Sequence, residues 1–406
     1  MNIIFLTIGR MESIEDHGIY PDLLRYFRDM GHSIYTVSPY EKRTGLKTHL
    51  IEENGAKMLH VSIGNITKCG LIEKGISTLR IESLFISAIK KYYGDVKFDL
   101  VMYSTPPITF AKVIQFIKKR DGAKAYLMLK DIFPQNAVDL GMMTKSGPKS
   151  ILYKFFRQKE KKLYAFSDHI GCMSPANADY VLKHNPEIAA EKVGLCPNCI
   201  DVVDMSLTKP ERDAMREKYG IPLDKTVYVY GGNLGRPQGI PFIIECLKAQ
   251  AENENAFFLI VGDGTEYGKL ESYFSEARPG NMKLMQRLPK DDYDRMIAAC
   301  DVGLIFLDHR FTIPNFPSRL LAYMQAGLPV IACTDVNTDV GKVITDGGFG
   351  LWCRSDSVDD FCRAVNEVAS ADLSDMGVKA LSYLCENYNS KVCYDAVMNS
   401  LGEGKI

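Results

Sequence analysis

A glycine-rich stretch carries the clearest chemical signal in this chain of 406 residues. Residues 227–239 read VYVYGGNLGRPQG, and a helical pattern follows at Ile240–Ala249. Glycines let backbone N–H groups approach an anion, and the amino terminus of the next helix favours a phosphate. Arg236 offers a bidentate contact to the same anion. The pattern favours a phosphate-binding loop over an ordinary β–α turn.

Two other patterns have the spacing of metal or redox sites. Asp292-Tyr293-Asp294 has the D-x-D spacing of some metal sites, but it opens a helical pattern, where acidic residues stabilise the first turn through the helix dipole. Cys196 and Cys199 form a lone C-x-x-C without the second pair that zinc needs. We therefore predict a helix start and a turn, and no metal site.

Several enzyme classes lack their signatures in this sequence. There is no G-x-S-x-G, no H-E-x-x-H and no G-x-x-x-x-G-K-[ST]. Serine hydrolase, zinc peptidase and P-loop chemistry are therefore disfavoured. His17 and Gly18 lie in the first predicted β–α loop and remain candidate site residues.

Short apolar runs alternate with helical patterns, and the alternation restarts after residue 200. The predicted strands are Asn2–Thr7, Ser33–Val37, Leu100–Tyr103 and Ala125–Leu129, and then Val227–Tyr230, Ala256–Val261, Val302–Phe306 and Val330–Cys333. The first predicted helix is Tyr20–Met30. The alternation predicts an α/β fold of two successive doubly wound, Rossmann-like domains. Ligands of such sheets bind beyond the carboxyl ends of the strands, which favours a site in the cleft between the domains.

The net charge of −1 hides an asymmetry between the two halves. Residues 1–200 hold 28 Lys and Arg against 20 Asp and Glu, whereas the remainder holds 21 against 30. This split excludes a uniformly basic nucleic-acid binder. It predicts two modules with different partners, the first facing an anionic surface.

The most basic stretch, residues 150–163, reads SILYKFFRQKEKKL. Its apolar residues follow a helical stripe, so it is either a core-facing helix with a solvated basic face or a helix lying on an anionic bilayer. No apolar run is long enough to span a membrane, and we find no signal-peptide pattern. Eleven unpatterned cysteines favour a reducing cytoplasm, and a peripheral position on the inner membrane face stays open.

Several segments resemble family 4 glycosyltransferases. Residues 312–332, TIPNFPSRLLAYMQAGLPVIA, resemble the family signature P-S-K-x-x-E-Y-x-A-x-G-x-P-V-I-A. The similarity is narrower to the branch that assembles bacterial O-antigen, capsule and exopolysaccharide. Other matching segments are GH at 31–32, DIFP at 131–134, PNCID at 197–201, LIVGDG at 259–264, NMKLMQRLP at 281–289 and ACDVG at 299–303. The resemblance covers most of residues 1–390 and is strongest after residue 225.

The resemblance implies the GT-B architecture, in which two Rossmann-like domains face a cleft. Residues 1–200 would bind the acceptor and residues 201–385 the nucleotide-sugar, while residues 386–406 would form a helix crossing back, with Leu381–Leu401 as its helical pattern. The implied reaction is a metal-independent, retaining transfer without a cofactor. The implied donor is UDP-linked with an N-acetylated hexose, and the implied acceptor is a polyprenyl-diphosphate-linked sugar or a glycan.

The resemblance also implies site residues. A leaving nucleotide diphosphate develops negative charge, which fixed cations and oriented donors stabilise. The implied catalytic residues are Asp131, Arg236 and Arg319; the implied donor-binding residues are Gly232, Asn233, Gly235, Gln238, Arg287, Leu288 and Ser318; His17 and Gly18 are implied at the acceptor. Asp131 would orient or deprotonate the acceptor hydroxyl, or bind the donor sugar, and its alternative is a strand-end cap.

This sequence departs from the family at three places. The E-x₇-E pair is replaced by Pro314 and Ala322, which removes the usual ribose contact. A lysine common before Gly239 is Gln238, and Gly9-Arg10 stands where the first loop usually has two glycines. The departures keep two alternatives open: a non-catalytic partner subunit that binds a sugar nucleotide, and a nucleotide-sugar epimerase on the same fold.

Overall fold

The computed structural model describes residues 1–402, apart from the side chains of residues 71 and 72. Over this range the chain divides into two compact units. The first unit comprises Met1–Asp201 and the segment that returns at Ser390, and the second comprises Val202–Asn389. The last four residues of the predicted segment 386–406 lie outside the described residues.

Each unit is built on one sheet. The strands of the first unit are β1 (Asn2–Leu6), β2 (Ser33–Glu41), β3 (His49–Glu53), β4 (Ala56–Ile63), β5 (Leu100–Ser104), β6 (Lys124–Leu129), β7 (His169–Cys172) and β8 (Val193–Leu195). Those of the second are β9 (Thr226–Asn233), β10 (Ala256–Asp263), β11 (Met282–Met285), β12 (Val302–Phe306), β13 (Val330–Thr334) and β14 (Gly350–Arg354).

Helices connect the strands. Those before residue 202 are α1 (Ile19–Asp29), α2 (Leu71–Tyr92), α3 (Ala111–Asp121), α4 (Gln135–Asp139), α5 (Ser150–Phe166) and α6 (Pro175–His184). The second unit contains α7 (Lys209–Tyr219), α8 (Ile240–Ala249), α9 (Tyr267–Ala277), α10 (Lys290–Ala298), α11 (Arg319–Gln325), α12 (Val340–Asp346), α13 (Val358–Ala369) and α14 (Leu373–Asn387). Helix α15 (Ser390–Ser400) belongs to the first unit.

The first sheet has the order β3-β4-β2-β1-β5-β6-β7-β8 over the described residues. Only β3 runs antiparallel to its neighbour there, β4. The central strand β1 is an apolar run, buried at Ile3–Leu6, because helices cover a parallel sheet on both faces. The chain winds in one direction before β5 and in the other after it, so the loops that follow β1 and β5 flank a topological switch point.

The second sheet has the order β11-β10-β9-β12-β13-β14, and its strand pairs are parallel. Its switch point lies between β9 and β12. The glycine-rich loop follows β9, so the fold sets this loop beside the one that follows β12.

Helices form a layer on each face of the sheets. In the first unit α2 packs against α3 and α3 against α5, whereas α1 packs against α15. Right-handed crossovers in opposite directions place α1 and α2 on opposite faces. The predicted fold class, two doubly wound Rossmann-like α/β domains, is confirmed.

The helical pattern predicted at Leu381–Leu401 is wrong as one helix. Helix α14 ends at Asn387 and α15 begins at Ser390. The Asn389 side-chain amide donates to the carbonyl of Cys385, 2.5 Å away, and so satisfies a carbonyl in the last turn of α14. The predicted helix Ile240–Ala249, in contrast, matches α8 residue for residue.

The chain leaves and re-enters the first unit at two bonded residues. The Ser390 hydroxyl donates to Asp201 Oδ1 over 2.6 Å. Arg25 donates to the other oxygen of Asp201 at 3.0 Å, and the Asp201 N–H donates to Asp22 at 2.9 Å. Both crossing points are therefore tied to α1.

Candidate functional site

The end of β9 requires glycine. A Cβ on Gly231 would lie 1.8 Å from the hydroxyl oxygen of Tyr293, so no larger residue fits. The Gly231 N–H donates to the Tyr323 hydroxyl at 3.0 Å, and this hydroxyl donates to the Leu304 carbonyl at 3.1 Å. Gly232 follows with φ 125°, a conformation that glycine adopts without strain. Two tyrosines from α10 and α11 thus shape the loop backbone.

Arg319 is the cation that the structure brings to this loop. Its Cζ lies 4.3 Å from the ring centroid of Tyr230, and a Cβ on Gly232 would lie 3.5 Å from its Nη2. Nη1 is buried without a hydrogen-bond partner. A guanidinium held over an aromatic face keeps its charge and its donors. A buried donor left without a partner costs free energy, so the binding of an anion that accepts a hydrogen bond from Nη1 is favoured.

The tyrosines around Arg319 do not neutralise it. Burial raises the pKa of Tyr230, Tyr293 and Tyr323, so all three phenols stay uncharged at neutral pH. The Tyr230 hydroxyl donates to the Asn233 carbonyl at 2.7 Å, which turns that part of the loop backbone inward. The guanidinium of Arg319 therefore lies near neutral tyrosine side chains. These tyrosines were not predicted from the sequence, although Tyr323 stands inside the family signature.

Gln238 serves the loop itself. Its Oε1 accepts from the Asn233 side-chain amide at 3.0 Å and from the Gly235 N–H at 3.2 Å. The Leu234 N–H is likewise taken, by the Asp263 carbonyl at 2.9 Å. These donors are occupied within the turn, whereas Gly232 and Asn233 are exposed. The structure thus gives Gln238 and Gly235 a role in fixing the turn that the sequence did not indicate.

The GDG segment after β10 supports the same loop. A Cβ on Gly262 would lie 1.9 Å from the Gly232 carbonyl oxygen, and one on Gly264 would lie 2.4 Å from the backbone of Leu234. The two stretches of backbone pass so closely that only glycine fits at either place.

The other predicted residues of the second unit lie nearer to solvent. Arg236 is exposed, with Nε 3.7 Å from Glu266 Oε1. Arg287 is exposed and Leu288 half-buried in the loop between β11 and α10. Ser318 is exposed and directly precedes α11. Among the predicted cations, a buried guanidinium nitrogen without a partner is found at Arg319.

Two buried carboxylates of the second unit were not predicted from the sequence. Asp308, in the loop after β12, accepts from Arg310 at 2.7 and 2.8 Å; burial alone would raise its pKa, but these bonds hold the pKa below its usual value. Asp335, after β13, accepts the N–H groups of Asn337 and Thr338 at Oδ1. Its Oδ2 is buried without a partner, and burial raises its pKa to about 6. An acidic residue within two positions of the end of a buried strand was the available signal.

Asp131 occupies the corresponding place in the first unit. It follows β6, and its backbone is joined to the loop after β5 because Thr105 Oγ1 donates to the Asp131 carbonyl at 3.0 Å. The Asn136 amide donates to Asp131 Oδ2 at 2.7 Å. Burial raises the Asp131 pKa to about 6, against the lowering effect of the Ile132 N–H and Asn136. This carboxyl can therefore gain or lose a proton near neutral pH.

His17 and Gly18 stand at the start of α1. The Gly18 N–H donates to Asp22 Oδ1 at 3.0 Å, and His17 Nδ1 lies 3.8 Å from the same oxygen. The His17 side chain is exposed, whereas Asp22 is buried and also accepts from Arg25. His17 is thus placed beside the loop that follows β1.

The D-x-D residues form ion pairs in the first turns of α10. Asp292 pairs with Lys218 at 2.8 Å, and Asp294 pairs with Lys290 at 2.6 Å. Among residues 1–402, no cluster of three or more His, Cys, Asp or Glu side chains has the arrangement of a metal site. In the same range every helix is too short or too polar to span a bilayer.

A cavity of about 350 Å³ opens elsewhere in the first unit. It is lined by the first residues of β7 and β8, His169 and Val193, and by Asn399 of α15. These strand starts lie at the edge of the sheet opposite to Asp131, which follows a strand end. None of the predicted site residues lines this cavity.

Comparisons with known proteins give similarities to glycosyltransferases. Residues 211–379 match the family model described as glycosyl transferases group 1. The chain is 25% identical over 346 residues to WbjE of Pseudomonas aeruginosa, described as a probable glycosyltransferase, and the match covers 83% of each chain. It is 22% identical over 274 residues, 66% of each chain, to WcaI of Escherichia coli K12, described as a candidate colanic acid biosynthesis glycosyl transferase.

A solved structure shares the fold across both units. The Anabaena protein Alr3699/HepE, in complex with UDP and glucose, superposes with a TM-score of 0.71 over 99% of each chain at 15% identity. The matched residues 211–379 include Gly231, Gly232, Tyr293 and Arg319. Residues 211–379 of the second unit are therefore similar to the glycosyl transferases group 1 family, and the arginine and the tightly packed glycines lie inside the matched range.

Proposed function

We propose that this chain is a metal-independent, retaining glycosyltransferase of family 4. It transfers a sugar, an N-acetylated hexose, from a UDP-linked donor to a polyprenyl-diphosphate-linked or glycan acceptor. The product belongs to a cell-surface polysaccharide such as O-antigen or capsule. The WbjE and WcaI descriptions support the transferase and polysaccharide parts, and the UDP in the Anabaena complex supports the choice of nucleotide.

The unpartnered guanidinium nitrogen of Arg319 carries this proposal. A diphosphate that leaves the sugar gains negative charge in the transition state, and a fixed cation stabilises it without a metal. Arg319 is held in place by the Tyr230 ring and by the loop at Gly232 before any ligand arrives. Such preorganisation removes the cost of orienting the cation during the reaction. Arg236, Arg287 and Ser318 would add contacts from the surrounding loops.

Asp131 would serve the acceptor. As a carboxylate it can orient the acceptor hydroxyl or take its proton, and a pKa of about 6 leaves it mostly ionised at neutral pH. His17 and Gly18 would line the acceptor side of the same unit. A cytoplasmic chain with a peripheral position on the inner membrane face would meet such a lipid-linked acceptor.

Two measurements test the proposal. Thermal unfolding with UDP, GDP, dTDP and their sugars identifies the donor, because a ligand at 100 times its dissociation constant stabilises by about 2.7 kcal/mol. Transfer is then measured from the stabilising donor to short polyprenyl-diphosphate-linked sugars. We expect stabilisation by UDP and transfer that Arg319→Ala abolishes. Full activity of Arg319→Ala would contradict the site, and UDP binding without transfer to any lipid-linked or glycan acceptor would contradict the transferase activity.

A further inference from the structure

Several, although not all, of the exposed large apolar side chains of the first unit lie on two helices of one layer. On α5 they are Ile151, 73% exposed, with Leu152 and Phe155; on α2 they are Ile76 and Leu79, 64% exposed. Helices α2 and α5 each follow a parallel strand, so their first turns lie at the edge where the strands end. Both helices pack against α3 and so belong to one layer. We call residues 73–80, 111–115 and 142–155 the helix rim.

The rim is positively charged. Its exposed cations come from all three helices and the loop before α5: Lys74, Arg80, Lys112, Lys145, Lys149 and Lys154. The exposed acid within these ranges is Glu73, and it accepts from the Asn65 amide at 2.7 Å. The ion pairs of α5 involve Arg157 and Lys161, further along the helix. The rim therefore presents apolar side chains within a field of solvated cations.

The structure separates two parts of α5. Leu163 and Tyr164, near its carboxyl end, are buried, and Glu160 accepts from the Tyr164 hydroxyl at 2.8 Å. Ile151 and Leu152, at the other end, are exposed. A core-facing stripe along the whole helix is therefore wrong for its first two turns. The packed end fixes the helix on the unit, and the apolar end is left to solvent.

We propose that the helix rim docks on an anionic lipid bilayer. Ile151, Leu152 and Leu79 would enter the boundary between headgroups and acyl chains, and the surrounding lysines would contact the anionic headgroups. A nucleic acid would use the cations but not the exposed aliphatic side chains. An apolar protein surface would use the aliphatic side chains but not the cations. A bilayer with anionic lipid matches both.

Ring contacts connect the rim to the loop that holds the proposed acceptor carboxyl. The rings of Phe155 and Phe156 lie 5.3 Å apart, and those of Phe156 and Phe133 lie 5.0 Å apart. Phe133 follows Asp131 by two residues. This step rests on the proposed function. If that function holds, a docked rim brings Asp131 to the membrane surface, where a lipid-linked acceptor exposes its sugar.

Vesicle co-sedimentation tests the docking directly. The full chain is mixed with vesicles of phosphatidylcholine alone or with phosphatidylglycerol added, without donor or acceptor. We expect binding to the anionic vesicles, weakened by about 0.5 M NaCl, and about 10-fold weaker binding of the double variant Ile151→Ser/Leu152→Ser. The matched control is Val336→Ser/Val378→Ser, which removes two comparably exposed side chains from the second unit. Equal co-sedimentation of the rim variant and the wild type with anionic vesicles would overturn the proposal. A wild type that does not co-sediment with anionic vesicles would also overturn it.

A second readout separates this inference from the proposed function. UDP-induced thermal stabilisation is measured on the same variants, and we expect the rim variant to keep it. Vesicle binding without any UDP effect would support the docking surface and contradict the proposed UDP-linked donor. UDP stabilisation and transfer to a soluble glycan, without vesicle binding, would overturn the docking surface alone.

Discussion

The guanidinium of Arg319 lies over the ring of Tyr230, with 4.3 Å between Cζ and the ring centroid, and its Nη1 has no hydrogen-bond partner. A site that holds an uncompensated cation is less stable before its ligand binds than after it. Stability and ligand affinity are therefore opposed at this residue. Substitutions at Arg319 should therefore change stability and ligand affinity in opposite directions.

Arg319→Met keeps much of the side-chain volume and removes the charge. We expect the ligand-free protein to become more stable by about 1 kcal/mol, because a buried donor without a partner is removed. We expect UDP affinity to fall by about 100-fold, since a charged hydrogen bond to the diphosphate is lost. Denaturant unfolding with and without UDP measures both. Arg363→Met, at an exposed arginine on α13, is the control that should change neither. Unchanged UDP affinity in Arg319→Met would contradict the anion site.

Asp131→Asn should change both activity and the pH dependence of stability. Burial raises the Asp131 pKa from 3.8 to about 6, so the folded state binds the proton more tightly than the unfolded state. The contribution of Asp131 to stability is therefore present below pH 4, declines between about pH 4 and 6, and is absent above. Asparagine is neutral at every pH, like the protonated carboxyl, so the variant should match the wild type near pH 4. At pH 7, where the wild type carries a buried charge, the variant should be more stable by up to about 3 kcal/mol. Denaturant unfolding at pH 4 and pH 7 measures both differences.

The transferase activity of Asp131→Asn should fall, although its stability at pH 7 should rise. If the carboxylate form works on the acceptor, transfer rises through about pH 6 in the wild type, and Asp131→Asn loses about 100-fold or more. Glu160 and Asp335 also have raised pKa values, of about 7 and 6, so the difference between variant and wild type is the quantity to follow. A variant with full activity and the same pH profile would show that Asp131 only caps its strand.

The sequence predicted the parts of the fold that depend on local pattern. Buried parallel strands such as Ala256–Asp263 are largely apolar, and α8 is bounded by Gly239 and Gln250, so these elements were found within a few residues. The break between α14 and α15 was missed; at this break the Asn389 side chain donates back to the Cys385 carbonyl. Patterns of hydrophobicity contain no trace of such a bond.

The site shows the same division. Gly232 and Arg319 were named from the sequence, and the structure places them together. The tyrosines near Arg319 come from β9, α10 and α11, and their proximity depends on the packing of three elements that are distant in the chain. Gln238 was named for the ligand, but its hydrogen bonds run inside the turn. Residue type showed that it was polar, and only the structure shows which partner its amide has.

Gln238→Lys restores the residue that the family commonly has before Gly239, and we expect it to be harmful here. The side-chain oxygen Oε1 of Gln238 accepts hydrogen bonds from Asn233 and Gly235, and the ammonium group of a lysine cannot accept them. Leaving the buried Gly235 N–H without a partner should cost about 2 kcal/mol of unfolding free energy. Gln238→Glu keeps an acceptor oxygen and should stay near the wild type in stability. Denaturant unfolding of the two variants makes the comparison. A stable Gln238→Lys with tighter UDP binding would show that the turn bonds are dispensable.

Gly231→Ala tests the packing between β9 and α10. The new Cβ would lie 1.8 Å from the Tyr293 hydroxyl oxygen and 2.6 Å from its ring carbon Cζ, so either the strand or the tyrosine must move. We expect a loss of about 1–3 kcal/mol of unfolding free energy from overpacking, together with weaker UDP stabilisation because Gly232 is displaced from Arg319.

The matching change at Tyr293 makes that prediction specific. Tyr293→Ala alone should destabilise by leaving a cavity, but it also opens the space that the methyl group added by Gly231→Ala requires. The double variant should therefore be more stable than the sum of the two single effects predicts, by about 1–2 kcal/mol in a double-mutant cycle. A cycle of Gly231→Ala with Tyr273→Ala, at a tyrosine of α9, is the control and should be additive. Additivity between Gly231→Ala and Tyr293→Ala would mean that the two residues do not meet, and the account of how this loop is shaped would fail with it.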